Sequence, residues 1–146
     1  MKNDTVVETG AWLLEHGHRL LLKVSGGRFP RRVLGMQPVE LFTTGRKSGL
    51  RRGTMLTAPV VEGERVILVA SKGGHSSNPA WYLNLVANPE VDLTMGGTER
   101  AMLARTATPE EKAELWPRIV RSYKGYAAYQ RSTDRDIPVV ICEPRP

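Results

Sequence analysis

Val39-Glu40-Leu41-Phe42-Thr43-Thr44-Gly45-Arg46-Lys47-Ser48-Gly49-Leu50-Arg51-Arg52-Gly53-Thr54-Met55-Leu56-Thr57-Ala58-Pro59-Val60-Val61 is the stretch from which the fold is read. Val39–Thr44 is an apolar, β-branched run with strand character; Gly45–Gly49 breaks it, and Thr54–Val61 resumes it. Pro59 has no N–H to give to a ladder, which predicts a sheet edge or a bulge there. Glu62-Gly63-Glu64 is a tight connection into a further apolar strand, Arg65–Ser71. Two such turns close together predict antiparallel pairing.

The same reading extends in both directions. Upstream, residues 1–9 are polar, residues 11–24 read as a short helix bearing Trp12, Leu13, Leu14, Leu20, Leu21 and Val24, and the glycines and Pro30 make 25–38 an irregular connector. Downstream, Asn78 is expected as an N-cap with Pro79 at the first helical position, opening a helix to about Val86 that Asn88-Pro89 ends. Val91–Met95 and Glu99–Ala107 predict a hairpin about Gly96-Gly97. Thr108-Pro109-Glu110-Glu111 is a capping box for a helix that Pro117 should kink or restart. A second helical piece is expected to hold Tyr123, Tyr126 and Tyr129, and Ile137–Cys142 is the final strand. Six or seven strands with helices inserted into a meander predict an α+β, mainly antiparallel domain, its sheet curled into a small barrel. Residues 1–35 then form an N-terminal helix and connector, and residues 36–146 the barrel domain.

Composition bounds the function. The chain of 146 residues is 40% hydrophobic and 25% charged, ordinary for one globular domain. Its single cysteine, Cys142, excludes an internal disulfide or a Cys-rich zinc site, which makes cytoplasmic the default expectation. The apolar stretch near Trp12–Val24 is interrupted by Glu15, His16, His18, Arg19 and Lys23, so it reads neither as a span nor as a signal peptide. The net charge is +6, and residues 1–60 hold ten Lys/Arg against four Asp/Glu, whereas residues 61–146 hold eleven of each. The excess therefore sits in the first part of the chain, and a one-sided basic field calls for an anionic partner.

Three local patterns are candidates for chemistry. Gly45–Arg52 brackets four cations with glycines; on spacing alone it reads equally as a solvated hairpin tip or as an anion-binding turn. Ser71-Lys72-Gly73-Gly74 follows a strand and precedes a helix, so it is either a flexible loop or a nest of N–H groups for an anion. Tyr123, Tyr126 and Tyr129 share roughly one side of a helix and offer either packing or hydroxyls to a substrate oxygen. His16, His18 and His75 give no metal set. No nucleophile elbow, dinucleotide glycine fingerprint or nucleic-acid module is present.

Taken in order, these blocks resemble the deazaflavin (F420)-dependent nitroreductase family of actinobacterial F420H2-dependent oxidoreductases. The resemblance covers roughly residues 36–144. It rests on Thr43-Thr44-Gly45-Arg46-Lys47-Ser48-Gly49 with Arg52, on Ala70-Ser71-Lys72-Gly73-Gly74, and on Asn78-Pro79-Ala80-Trp81-Tyr82-Leu83-Asn84-Leu85. The tyrosine repeat followed by Thr133-Asp134-Arg135 and Ile137-Pro138-Val139 closes it. It implies a split β-barrel of the FMN-binding-protein type with peripheral helices, and coenzyme F420, whose phosphodiester and oligoglutamate tail make it strongly anionic. It further implies that Arg46, Lys47, Ser48 and Arg52 hold that tail, and that Gly53, Thr54, Met55, Leu56, Thr57 and Ala58 line the cofactor. Val69, Ala70, Ser71 and Lys72 with Ala80, Trp81, Tyr82, Leu83 and Asn84 would surround the ring and linker. Tyr126, with Ser71, would be the catalytic pair, orienting the acceptor, and Tyr123 and Tyr129 would shape the substrate pocket. Leu50-Arg51 stands where some relatives carry a proline, a departure at the tail site.

The expected chemistry is hydride transfer to an electron-poor small molecule: a quinone, a nitroaromatic or an activated enone. Its alternatives are an FMN-dependent oxidase or reductase on the same barrel, and a non-enzymatic cofactor carrier or nucleic-acid-binding barrel. The N-terminal helix is expected either as a lid on the barrel or as a peripheral contact with an anionic membrane that admits a lipid-soluble quinone.

Overall fold

A computed structural model describes residues 36–146, and the expected helix 11–24, residues 25–35 of the connector, His16 and His18 lie outside the described residues, while Gln37 and Pro38, expected in the connector, already belong to the first strand. The strands are β1 (Gln37–Thr44), β2 (Arg51–Ala58), β3 (Val60–Glu62), β4 (Arg65–Val69), β5 (Glu90–Met95), β6 (Thr98–Thr106) and β7 (Val139–Pro144). The helices are α1 (Ala80–Ala87), α2 (Pro109–Ser122) and α3 (Gly125–Arg131), with a short 3₁₀ turn at Lys72–Gly74. Every pairing is antiparallel, in the order β2-β1-β5-β6-β7-β4-β3. The two end strands, β2 and β3, are separated in the chain by Pro59 alone. Opposite edges of the sheet must therefore meet at that residue, and the sheet rolls into a split barrel. Pro59 marks the corner where the chain leaves one edge for the other, as a residue without an N–H can.

Side-chain alternation builds two cores. Along β4, Val66 and Leu68 face the barrel interior, where they meet Val39, Leu41, Val91, Leu93, Met102, Val140 and Cys142, with Trp81 and Leu85 of α1. The intervening Ile67 and Val69 face outward with Val139 and Ile141, beneath Leu115 and Ile119 of α2 and Tyr126 of α3. Strands β4 and β7 are thus buried on both faces, which explains their unbroken apolar composition. The Cys142 thiol lies inside this core and burial pushes it up to about 12, so it stays protonated.

The β5–β6 hairpin closes over Gly96 and Gly97 at φ +59° and +81°, the left-handed pair a two-residue turn requires. The capping box of α2 is present: Glu111 N–H donates to Thr108 Oγ1 at 3.2 Å and Thr108 N–H to Glu111 Oε1 at 2.9 Å. Three expectations are corrected. Pro117 does not restart the helix; α2 runs through it as one element, with Leu115 and Ile119 buried on either side. Tyr123 is not helical: it is extended at the end of α2, and its ring folds back over Gly125, where a Cβ would stand 2.3 Å from it. Asn78 does not cap α1; its side chain accepts from Arg135 instead, and Pro79 takes the cap position. Strand ends also shift: β4 stops at Val69, and β7 begins at Val139 rather than Ile137.

The Arg105 guanidinium, donating to both Glu111 oxygens, and then the Thr108 N–H hold the Glu111 carboxyl down at about 2 against an ordinary 4.5. A depressed carboxyl stabilises the fold above its unfolded value and loses that contribution as pH falls toward the folded one. Glu111→Gln is therefore expected to flatten the acid limb of thermal stability between about pH 4.5 and 2. An unchanged limb in a pH series of melting curves would remove the residue from this role.

Candidate active site

The basic turn is built before any ligand arrives. Gly49 N–H donates to Gly45 O at 2.8 Å and Gly45 N–H to Leu50 O at 2.7 Å, closing the loop between β1 and β2. Ser48 Oγ accepts from Leu50 N–H at 3.1 Å and from Arg52 Nη2 at 3.4 Å. Asn84, on α1 and only 5% exposed, fastens the turn to the helix. Its Oδ1 accepts from Arg46 N–H at 3.1 Å and Arg46 Nη1 at 3.0 Å, while its Nδ2 donates to Thr43 Oγ1 at 3.2 Å. A buried amide with both ends satisfied fixes its neighbours tightly.

An open groove of about 390 Å³ lies between the turn and α1. Arg46, Lys47 and Ser48 contribute from the turn, Arg52, Gly53 and Thr54 from β2, and Ala80, Trp81 and Asn84 from α1, with Thr43 and Gly45 completing the wall. Among the described residues no carboxylate lines it. The four cations of the run divide between two faces of the sheet edge. Arg51 lies over the Phe42 ring at 3.9 Å, pairs with Glu99, and reaches Asp92 at 3.6 Å. Arg46, Lys47 and Arg52 remain on the groove side, and among the described residues none of them has a carboxylate within ion-pair reach. Two guanidinium forks, an ammonium and the Ser48 and Thr54 hydroxyls form a donor set for an extended anion.

The tyrosines are gathered elsewhere. Tyr123 and Tyr126 meet edge to face at 5.4 Å, Tyr126 and Tyr129 at 6.1 Å, and the Tyr123 and Tyr129 hydroxyls lie 3.4 Å apart. Tyr126 is 6% exposed, its hydroxyl donating to Met36 Sδ at 3.5 Å, with Thr57 of β2 close by. Burial pushes the Tyr126 phenol up to about 12 and raises that of Tyr129 as well, so both remain protonated donors at neutral pH. None of the three lines the basic groove. The two regions share β2, whose alternating residues put Arg52 and Thr54 toward the groove and Thr57 toward Tyr126.

Ser71 is buried at the head of the 3₁₀ turn, which packs against α3: a Cβ on Gly74 would stand 2.9 Å from Tyr129 O. Of the two readings of Ser71–Gly74, the loop is an ordered 3₁₀ turn in which Gly74 N–H donates to Ser71 O and His75 N–H to Lys72 O, so those two N–H groups are taken within the turn. Lys72, at φ +45°, donates to Ser77 Oγ at 3.3 Å. Of the other expected site residues, Met55, Ala58, Val69 and Ala70 are buried and Leu56 and Thr57 half-buried, and none of them lines the groove. Tyr82 turns away to share a hydrogen bond with Thr106 Oγ1 at 2.8 Å, and Leu83 points outward. Thr43 and Gly45 line the groove without having been assigned a role from sequence; their place in the Thr43–Gly49 motif was the available signal.

The F420H(2)-dependent quinone reductase family matches residues 15–144. The F420H(2)-dependent quinone reductase Rv1261c of Mycobacterium tuberculosis (strain H37Rv) is 36% identical over 128 residues, 85% of each chain. A solved F420-H2 dependent reductase, FDR-A, superimposes with a TM-score of 0.67 at 42% identity, covering 73% of this chain and 93% of its own. A second structure, described as a domain-swapped dimer, gives a TM-score of 0.68 at 36% identity and covers 98% of this chain and 100% of its own.

Proposed function

Since the chain belongs to the F420H(2)-dependent quinone reductase family, we propose that it transfers a hydride from reduced coenzyme F420 to a small quinone-class acceptor. The observation that carries this reading is the groove beside α1, whose cations have no carboxylate partner among the described residues. The coenzyme's phosphodiester and oligoglutamate tail is an elongated polyanion, and the groove offers Arg46, Lys47, Arg52 and two hydroxyls with no competing carboxylate among the described residues. The residues fit the group. When bound, the reduced deazaflavin supplies the hydride.

The protein's own part is binding and orientation. Arg46, Lys47, Ser48 and Arg52 grip the anionic tail, and Asn84 keeps Arg46 aimed without itself carrying charge. Trp81 contributes an apolar wall from α1. Tyr126, flanked by Tyr123 and Tyr129, serves the acceptor side. A phenol kept protonated by burial can donate to an oxygen that gains negative charge during reduction, but it is a weak acid, so it orients and stabilises ahead of delivering a proton. The Ser71 hydroxyl, at the head of the 3₁₀ turn that packs against α3, is read as the second donor of this kind. Among the described residues no helix is long and apolar enough to cross a membrane.

Fluorescence titration and turnover test this reading together. F420 should bind, FMN should not, and reduced F420 should be oxidised on adding menadione. Tight binding of FMN without F420 would replace the cofactor, and absence of any flavin binding would remove the enzymatic reading.

A further inference from the structure

Between β4 and α1 the chain passes through residues 70–79, of which only Lys72–Gly74 forms a helical turn. Ala70, Ser71 and His75 are buried there; Ser71 O takes the Gly74 N–H within the turn, and the remaining acceptor capacity of the three carbonyls is met by no strand ladder. One side chain answers most of that need. Arg135 Nη1 donates to Ala70 O at 3.1 Å, Nη2 to Ser71 O at 2.7 Å and Nε to His75 O at 2.8 Å. Its Nη1 also donates to Asn78 Oδ1 at 2.7 Å, which draws Asn78 away from capping α1. The guanidinium is half-buried, and desolvation lowers its basicity without uncharging it.

Arg135 is itself fixed from behind. Gln130 of α3 donates through Nε2 to Arg135 O at 2.8 Å. Gln130 Oε1 accepts from Ile137 N–H at 3.0 Å and from Lys112 Nζ at 3.1 Å, and Lys112 belongs to α2. The path thus runs from α2 and α3 through Arg135 to the Ser71 turn and the start of α1. At the other end of α1, Asn84 holds Arg46 of the basic turn. The groove and the tyrosine cluster share no lining residue, so something must keep their spacing constant for a ligand that uses both.

We propose that Arg135 is a positioning residue of the active site: its guanidinium holds the Ser71 turn and the first turn of α1 in one register, and so fixes the separation between the cationic groove and the tyrosine cluster. This role rests on reading the two regions as one reductase site. It requires a fork. A lysine at this position keeps the charge but offers a point donor that cannot serve four acceptors in two directions.

Arg135→Lys tests it with two readouts. On the unliganded protein, amide hydrogen exchange should quicken at residues 71–78 and the first turn of α1 while α2 stays protected. With reduced F420 and menadione, kcat should fall by about 10- to 100-fold, the scale of a roughly 1 Å misplacement, with a much smaller change in affinity for oxidised F420. Asn78→Ala, which removes one acceptor and leaves the three carbonyl bonds, should show a smaller loss in the same direction in a fully folded protein. Unchanged exchange at 71–78 overturns the proposal, as does wild-type kcat in folded Arg135→Lys or a loss that disappears at temperatures where the variant is fully folded. Wild-type protein that neither binds F420 nor reduces menadione overturns the functional reading instead, and this role with it; the two failures are told apart by the wild-type assay alone.

Discussion

Replacing Lys47 and Arg52 together by alanine will weaken F420 binding by about a hundredfold. A charge-assisted hydrogen bond contributes about 1.5–3 kcal/mol, and solvent exposure places these two nearer the lower end, so each is expected to account for about tenfold. Both side chains line the groove, and neither has a carboxylate partner among the described residues. Their removal therefore leaves no buried anion stranded in the free protein, and the loss reads directly on the ligand. The remaining affinity should also depend less on ionic strength, because exposed charges are the part that salt screens. Arg51→Ala is the control. Arg51 belongs to the same run but is turned to Phe42, Asp92 and Glu99 on the other face, so its loss should leave F420 affinity close to wild type. Equal effects of Arg51→Ala and Lys47→Ala in a fluorescence titration would mean that the run acts only as a diffuse field. An unaltered dissociation constant in the double variant would take the tail out of this groove.

Gly74→Ala will be the most destabilising single methyl addition in the Ser71 turn. Gly74 stands at φ +83°, which L residues resist at a cost of about 1–2 kcal/mol. A Cβ there would lie 2.1 Å from Ser132 Oγ, 2.9 Å from Tyr129 O and 3.0 Å from Tyr129 Cα. The hydroxyl can rotate away, but the helix backbone cannot, and overpacking costs about 1–3 kcal/mol more. The total of about 2–5 kcal/mol is a large part of the stability of a domain this size and corresponds to a melting temperature lower by roughly 6–15 °C. Because the clash is with α3, the tyrosine cluster should be disturbed before the barrel: near-ultraviolet circular dichroism should weaken at temperatures where the far-ultraviolet signal persists. A melting temperature within a degree or two of wild type would show that α3 can move aside.

The legibility of this molecule varies with the range of the interactions involved. The Gly96-Gly97 hairpin and the Thr108–Glu111 capping box follow from residues within a few positions of one another, and both stand where their sequences predict. The three local corrections share a cause of the opposite kind. Pro117 is carried through α2 by packing on the outer sheet face, and Tyr123 leaves its helix because its ring covers Gly125. Asn78 gives up the cap to a guanidinium 57 residues away. In each case a distant or bulky partner outweighs a preference of about 1 kcal/mol.

The candidate site divides in the same way. The excess of positive charge, the glycine-bracketed turn and its likeness to an F420-binding motif are properties of the chain as written, and they were enough to expect an anionic coenzyme. Sequence could not say which cations face it. Strand alternation and register send Arg52 to the groove and Arg51 to Phe42, Asp92 and Glu99, and register is set by the whole hairpin and its neighbour β5. Nor could it place the tyrosines apart from the groove, or show Arg135 and Asn84 as the ties between the parts, since those bonds join segments 38 to 65 residues apart. Local patterns determined the elements and the character of the ligand. The curl of the sheet decided which side chains meet, because direction and distance exist only once the edges at β2 and β3 have closed.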